Sequence, residues 1–245
     1  MNDNGGDSSV VELYDLVAGH NENPVIKVNS LCISRSEVVA IVGPSGSGKS
    51  TLLSTIAGAL KPISGTLKIL GEQHTEDWRL KNTARTLQNF PLLHWLTVGG
   101  NLRLAARTRG FKLTDAKEIL TQFHAEHLEH RYVTQLSGGE RCRASIAQAI
   151  VAANNPAVVL LDEPFTGLDF RMKSEAANTL FEFAEFQKTP VLFVTHDLVD
   201  AKAYSDRIIV LQHGTPTTIG MECSADAPNA LEQIYKFLGG NRDVL

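Results

Sequence analysis

The sequence predicts an α/β fold with a mostly parallel sheet, and three continuously apolar runs predict it. Residues 157–161 (AVVLL), 190–194 (PVLFV) and 207–211 (RIIVL) lack the polar alternation of a half-exposed strand. They therefore belong to strands covered on both faces. Helical spacing fills the intervals: an alanine-rich stretch at 138–153 and an amphipathic one at 173–187. This alternation is that of a parallel sheet with crossover helices. A fourth apolar run, 38–42 (VVAIV), leads directly into Gly43-Pro44-Ser45-Gly46-Ser47-Gly48-Lys49-Ser50-Thr51.

The remaining elements follow in chain order. Residues 1–9 are polar and glycine-containing, and are expected to be disordered. Residues 10–33 alternate weakly and read as short strands joined by a turn region at 19–24. A further strand is bounded by Gly65 and Gly71. Residues 113–128 have helical spacing with Thr114 as N-cap, and residues 231–238 read as helical. No internal repeat or low-complexity segment is apparent.

With 245 residues, 43% of them apolar and 20% charged, the chain has the composition of an ordinary globular protein large enough for a substantial core. No apolar stretch approaches the roughly 20 residues that span a bilayer. The N-terminus lacks the basic and apolar regions of a secretion signal, which favours a cytoplasmic location. Cys32, Cys142 and Cys223 are far apart, suggesting neither a disulfide framework nor a CxxC metal site. A net charge of −4 without a basic block argues against nucleic acid or anionic lipid as the main partner. At a membrane, a protein partner must hold it.

Residues 43–51 fit G-x-x-x-x-G-K-[ST] between a strand and a helix, the context of a phosphate-binding loop. Glycine lets the backbone turn and bring its N–H groups against phosphate oxygens, and the following helix points its positive end at the same anion. Lys49 suits the β- and γ-phosphates, and the Ser50 hydroxyl suits Mg2+. The strand at 158–161 ends in Asp162-Glu163, which places two carboxylates in the crevice where α/β sheets bind ligands. Asp162 fits a metal-holding role, usually through water, and Glu163 can polarise an attacking water. Two solvated loop acids are the bland alternative; the apolar run and the phosphate loop weigh against it. Strand 191–194 likewise ends in Thr195-His196-Asp197, so His196 can hydrogen-bond both a γ-phosphate and the catalytic carboxylate. His124, His127 and His130 recur every third residue beside Glu126 and Glu129; a solvated helical face is favoured there over a metal site.

Together, GPSGSGKST, Gln88, LSGGE at 136–140, VVLLDEPF, TGLD and the histidine after LFVT resemble the nucleotide-binding subunit of an ABC transporter. The resemblance covers residues 10–214, with every motif in family order; LSGGE is its specific element. It implies a P-loop NTPase core, an N-terminal antiparallel β-subdomain, an inserted α-helical subdomain at about 89–153, and a short helical tail at 215–245. It implies ATP and Mg2+ as ligands, with residues 43–51 cradling phosphate and Ser50, Gln88 and Asp162 at the metal. Ser137, Gly138 and Gly139 would cap the γ-phosphate bound by a second ATPase subunit, identical or related, and Asp169 would lie at that interface. Gln88 would contact the lytic water, and the apolar segment after it, Asn89 to Leu96, would receive a transmembrane permease. A substrate-binding protein is a further candidate partner, and the location implied is the inner face of the cell membrane.

Departures from the family pattern are few. An aromatic residue usually stacks on adenine about two dozen positions before the loop; here the register points to His20, with less stacking area. Glu140 replaces the commoner Gln, and Gln148 stands where Arg is usual. The DEPF run, compact insertion and THDLVDA favour import over export. One rival is a soluble ABC ATPase of the iron–sulfur cluster assembly type, which tends to lack EPF and the apolar segment. A nucleotide kinase is a second, which LSGGE argues against.

Overall fold

The computed structural model describes residues 9–86 and 92–238. Most of the expected disordered N-terminus, Gln88 and the stretch 89–91 therefore lie outside the described residues. The chain opens with a long hairpin of β1 (Ser9–His20) and β2 (Asn23–Ser34). These are not short strands: the ladder runs to His20 opposite Asn23, leaving only Asn21 and Glu22 in the turn. Both turn residues have positive φ, 49° and 64°, the backbone that matches the twist of a two-residue hairpin. Gly19 is fixed by sterics, since a Cβ there would lie 1.9 Å from the Asn23 carbonyl oxygen.

Next come β3 (Val38–Val42), α1 (Lys49–Ile56), β4 (Ser64–Ile69), α2 (Glu76–Asn82) and the short β5 (Thr83–Thr86). Between β5 and β6 (Val158–Asp162) the described chain is helical: α3 (Val98–Thr108), α4 (Ala116–Thr121), 3-10 turns at Glu126–Leu128 and Val133–Gln135, and α5 (Gly138–Ala153). Then follow α6 (Phe170–Gln187), β7 (Val191–Thr195), α7 (Leu198–Ala203), β8 (Arg207–Gln212), β9 (Thr217–Ser224) and α8 (Ala230–Phe237). Beyond Gly214 the chain is thus a sheet strand before it is a helix, which the helical-tail expectation missed.

The helix expected over 113–128 is broken. Asp115, not Thr114, caps α4 by accepting from the Lys117 N–H, and His124 adopts φ 48°. That left-handed residue lets Phe123, Ala125 and Leu128 all be fully buried, which one helical face would not allow. His124 then pairs with Glu182 while His127 lies 3.7 Å from Glu140, so the histidines do not converge.

The nine strands among the described residues form one sheet, ordered β4-β1-β2-β9-β8-β3-β7-β6-β5. Strands β8, β3, β7, β6 and β5 run parallel, and β4-β1-β2 is the antiparallel part. Alternate residues of the central strands enter two apolar layers. Val38, Ala40, Val42, Val159, Leu161, Val191 and Phe193 face the helical side, where α5, α6 and the insertion pack. Val39, Ile41, Val158, Leu160, Leu192 and Val194 face α1 and the hairpin. Burial on both faces is why these strands read as unbroken apolar runs.

Candidate functional site

The register of three adjacent strands builds the site. Val42 lies opposite Thr195, and Asp162 opposite Val194. The loop after β3, the acids after β6 and the histidine after β7 therefore leave the sheet at one edge, the carboxyl ends of parallel strands.

The loop has the backbone geometry that an anion cradle requires. Gly46 and Gly48 have φ 78° and 83°, which side chains rarely adopt. A Cβ on Gly46 would meet nothing within 4 Å, so the loop is open on this side. Gly48, the N-cap residue of α1, offers no side chain to cap the first-turn N–H groups. Lys49 donates to the carbonyls of Gly43 (2.7 Å) and Pro44 (2.9 Å), folding its ammonium back over the loop. Burial pushes the Lys49 pKa below its ordinary value, opposed by the nearby carboxylates of Glu163 and Asp162. Among the described residues the buried Ser47 Oγ has no partner, a polar atom of the kind that a ligand satisfies. The cradle and its orphaned hydroxyl fit a polyphosphate.

Glu163 holds φ 52°, unusual for a non-glycine residue, with its N–H bonded to the Val194 carbonyl at 3.1 Å. His196 Nδ1 donates to Glu163 Oε1 and Oε2 at 3.0 and 2.9 Å, since a carboxylate only accepts. Thr166 donates to Oε2 at 2.9 Å. His196 and Glu163, from two strand ends, thus make the contact expected of them, and Thr166 joins them. Asp162 is buried at the end of β6. Arg85 of β5 reaches Ser54 at 2.8 Å, and Ser54 bonds the Ser50 carbonyl at 2.6 Å. Burial lowers the Arg85 pKa against the opposing charge of Asp162. Thr166, three residues after Glu163, was read only as the start of TGLD, and Arg85 has no signal in the sequence because its partner lies 31 residues away. His20 is exposed at the hairpin tip. That end is held beside the loop, where a Cβ on Gly48 would contact Val25 and Ile26 at 2.9 and 3.3 Å.

Ser137 is the N-cap of α5, accepting from the Glu140 N–H at 3.3 Å while Glu140 Oε2 accepts from the Ser137 N–H at 2.8 Å. Asp169 caps α6 through the Met172 N–H at 2.9 Å. Ser137, Gly139 and Asp169 line one cleft with Arg143, Arg171 and Met172, and no residue of 43–51 lines it. The structure thus gathers the expected residues in two groups. Lys49, Glu163 and His196 belong to one; Ser137, Gly139 and Asp169 belong to the other. Of the apolar segment after Gln88, Leu92 is buried and Trp95 is 71% exposed. Among the described residues no helix is long and apolar enough to cross a membrane.

A family model described as "ABC transporter" matches residues 26–166, more than half of the chain. The sulfate/thiosulfate import ATP-binding protein CysA 1 of Agrobacterium fabrum is 34% identical over 227 residues, covering 88% of this chain and 64% of that protein. The spermidine/putrescine import ATP-binding protein PotA of Legionella pneumophila is 32% identical over 235 residues, covering 94% and 64%. The chain therefore spans about two thirds of the length of these curated relatives. Among solved structures, cbiO1 from Clostridium perfringens shares the fold, with a TM-score of 0.81, 24% identity and 96% of each chain covered. A dimeric bacterial ABC transporter cassette, MJ0796, has a TM-score of 0.70 and 29% identity, covering 89% of this chain and 99% of that one. With the phosphate loop, the Glu163–His196 pair and the capped LSGGE helix in place, this chain belongs to the ABC transporter family, as an ATP-binding cassette.

Proposed function

We propose that the chain is the ATP-binding subunit of an importer, hydrolysing ATP as a dimer to drive transport through a separate membrane permease. The observation that carries the reading is the Glu163–His196 pair at the strand ends beside Lys49 and the phosphate loop. On this reading Gly43–Thr51 hold the phosphates, His20 meets the base, and Ser50, Asp162 and Gln88 hold Mg2+, which supplies charge neutralisation on the phosphates. Glu163 orients water and takes its proton as oxygen bonds to the γ-phosphorus and the bond to the bridging oxygen breaks, releasing ADP. With Nδ1 donating to Glu163, His196 can give a hydrogen bond to a γ-phosphate oxygen only where Nε2 also carries a proton, and Lys49 offsets the charge developing on the phosphates.

Ser137, Gly138, Gly139 and Asp169 complete the site of a second ATPase subunit, identical or related; their separation from the phosphate loop within one chain supports this. The exposed Trp95 and its neighbours after Gln88 suit a permease contact, which would keep the chain at the cytoplasmic face of the membrane. The relatives' names, import of sulfate/thiosulfate and of polyamines, support import over the iron–sulfur assembly alternative. They differ in substrate, in keeping with a choice made by the permease and any binding protein.

The test is Glu163→Gln. It is expected to bind ATP with an affinity near that of the wild-type chain and to lose turnover by about a hundredfold or more. Near-normal hydrolysis by this variant would refute the role of Glu163. Recovery of soluble assembly proteins, with no polytopic membrane protein, in a pull-down from membranes would favour the alternative.

A further inference from the structure

Lys173 lies one turn inside α6, its N–H bonded to the Asp169 carbonyl at 2.9 Å. Its ammonium crosses to the start of α7, donating to Asp200 Oδ1 and Oδ2 at 2.8 and 2.7 Å and to Asp197 Oδ2 at 3.3 Å. The Lys173 and Asp200 side chains are only 18% and 8% exposed, so each charge depends on the other for its solvation. Burial works against the ammonium, yet the carboxylates of Asp200 and Asp197 outweigh it and hold the Lys173 pKa above the ordinary lysine value. Asp197 in turn accepts from the N–H groups of Val199 (2.8 Å) and Asp200 (3.1 Å), fixing the first turn of α7. His196 immediately precedes it.

These contacts close a ring between two chain segments, 163–173 and 196–200. His196 donates to Glu163 at one end, and Lys173 holds Asp197 and Asp200 at the other. A hinge held at both ends has little freedom to let His196 drift from Glu163. We infer that Lys173 is a positioning residue for ATP hydrolysis, its ion pair with Asp200 and Asp197 setting where His196 stands against Glu163. The inference rests on the proposed roles of Glu163 and His196. Because Asp169 caps the same helix, the ring also ties the cleft of Ser137 and Gly139 to the hydrolytic pair.

The experiment uses the purified chain with ATP and Mg2+, comparing Lys173→Met, Lys173→Arg and the neutral pair Lys173→Met with Asp200→Asn. Hydrolysis by the wild-type chain, abolished in Glu163→Gln, anchors the comparison; failure of either removes the functional reading and this inference together. Lys173→Met is expected to lower kcat about tenfold or more while the Kd for Mg2+-free ATP stays within about twofold. Lys173→Arg, which keeps the cation, is expected to recover most of the rate. The neutral pair removes the uncompensated buried charge, so it is expected to melt near the wild-type temperature yet keep a low kcat. Two results overturn the assignment while leaving the anchor intact: a kcat for Lys173→Met within about twofold of wild type, or a neutral pair that regains rate together with stability.

Discussion

Gly138 and Gly139 do more inside their own chain than the phosphate reading of LSGGE requires. A Cβ on Gly138 would lie 2.8 Å from Leu168 Cδ2, and one on Gly139 would lie 3.1 and 3.2 Å from Met172 Cβ and Cγ. The glycines thus let the start of α5 pack on the loop and first turn of α6, where Asp169 sits. Gly139→Ala is accordingly expected to cost about 1–3 kcal/mol through overpacking, read as a lower melting temperature without nucleotide. Met172→Ala in the same chain should return most of that loss. An unchanged melting temperature for Gly139→Ala would confine its role to the ligand. At this scale the sequence disclosed residues whose chemistry is local: Lys49 inside its loop, Glu163 after its strand, Ser137 before its helix. It did not disclose Lys173 or Arg85, whose partners lie 27 and 31 residues away and meet them only through the fold.

Among elements, strands β3, β6, β7 and β8 were legible nearly to the residue because both faces are buried, which leaves four or five apolar residues in a row. Helix α5 was legible for a different reason: Ser137 and Glu140 form a capping box at its start, and Asn154 ends it with φ 50°. The 113–128 stretch misled, because Ala116, Leu120 and Phe123 are buried at helical spacing, and the left-handed His124 that ends the pattern carries no signal of its own. Strand β5 stayed hidden because TART carries no apolar run, its place being set by pairing with β6. The start of α5 also carries an electrostatic contribution. Arg131 Nη1 bonds Glu140 Oε1 at 2.8 Å and its other amino group reaches the Gln135 carbonyl. Burial alone would raise the Glu140 pKa; the Ser137 hydrogen bonds, with Arg131 and His127, outweigh it and hold the carboxyl below its ordinary value. The folded chain therefore binds this proton less readily than the unfolded chain. The stabilisation is present above the unfolded glutamate value, near about 4.3, and is lost as pH falls through the lowered folded value. Glu140→Gln is expected to melt below wild type at neutral pH, with the gap narrowing below about pH 4. A gap that does not change with pH would assign the effect to packing.

For the whole molecule, one sheet serves two surfaces. The carboxyl ends of β3, β6 and β7 carry Lys49, Glu163 and His196, while the cleft of Ser137, Gly139 and Asp169 opens elsewhere and contains none of the phosphate loop. Proposed as halves of a composite site, the two surfaces make a prediction that a self-sufficient chain does not. Lys49→Ala disables the phosphate loop but leaves LSGGE intact; Ser137→Arg does the reverse. Each variant alone is expected to hydrolyse ATP poorly, since every composite site in its dimer contains one damaged half. Mixed in equal amounts, half of the dimers formed at random pair the two variants. Each of these holds one site with both halves native and one with neither. Activity should then rise to roughly a quarter of the wild-type rate, the share expected for a symmetric two-site dimer with independent sites. Rates measured across mixing ratios would show a maximum near equal proportions. A mixture no more active than the better parent would sink the symmetric composite site and leave either a non-identical partner subunit or a site complete within one chain.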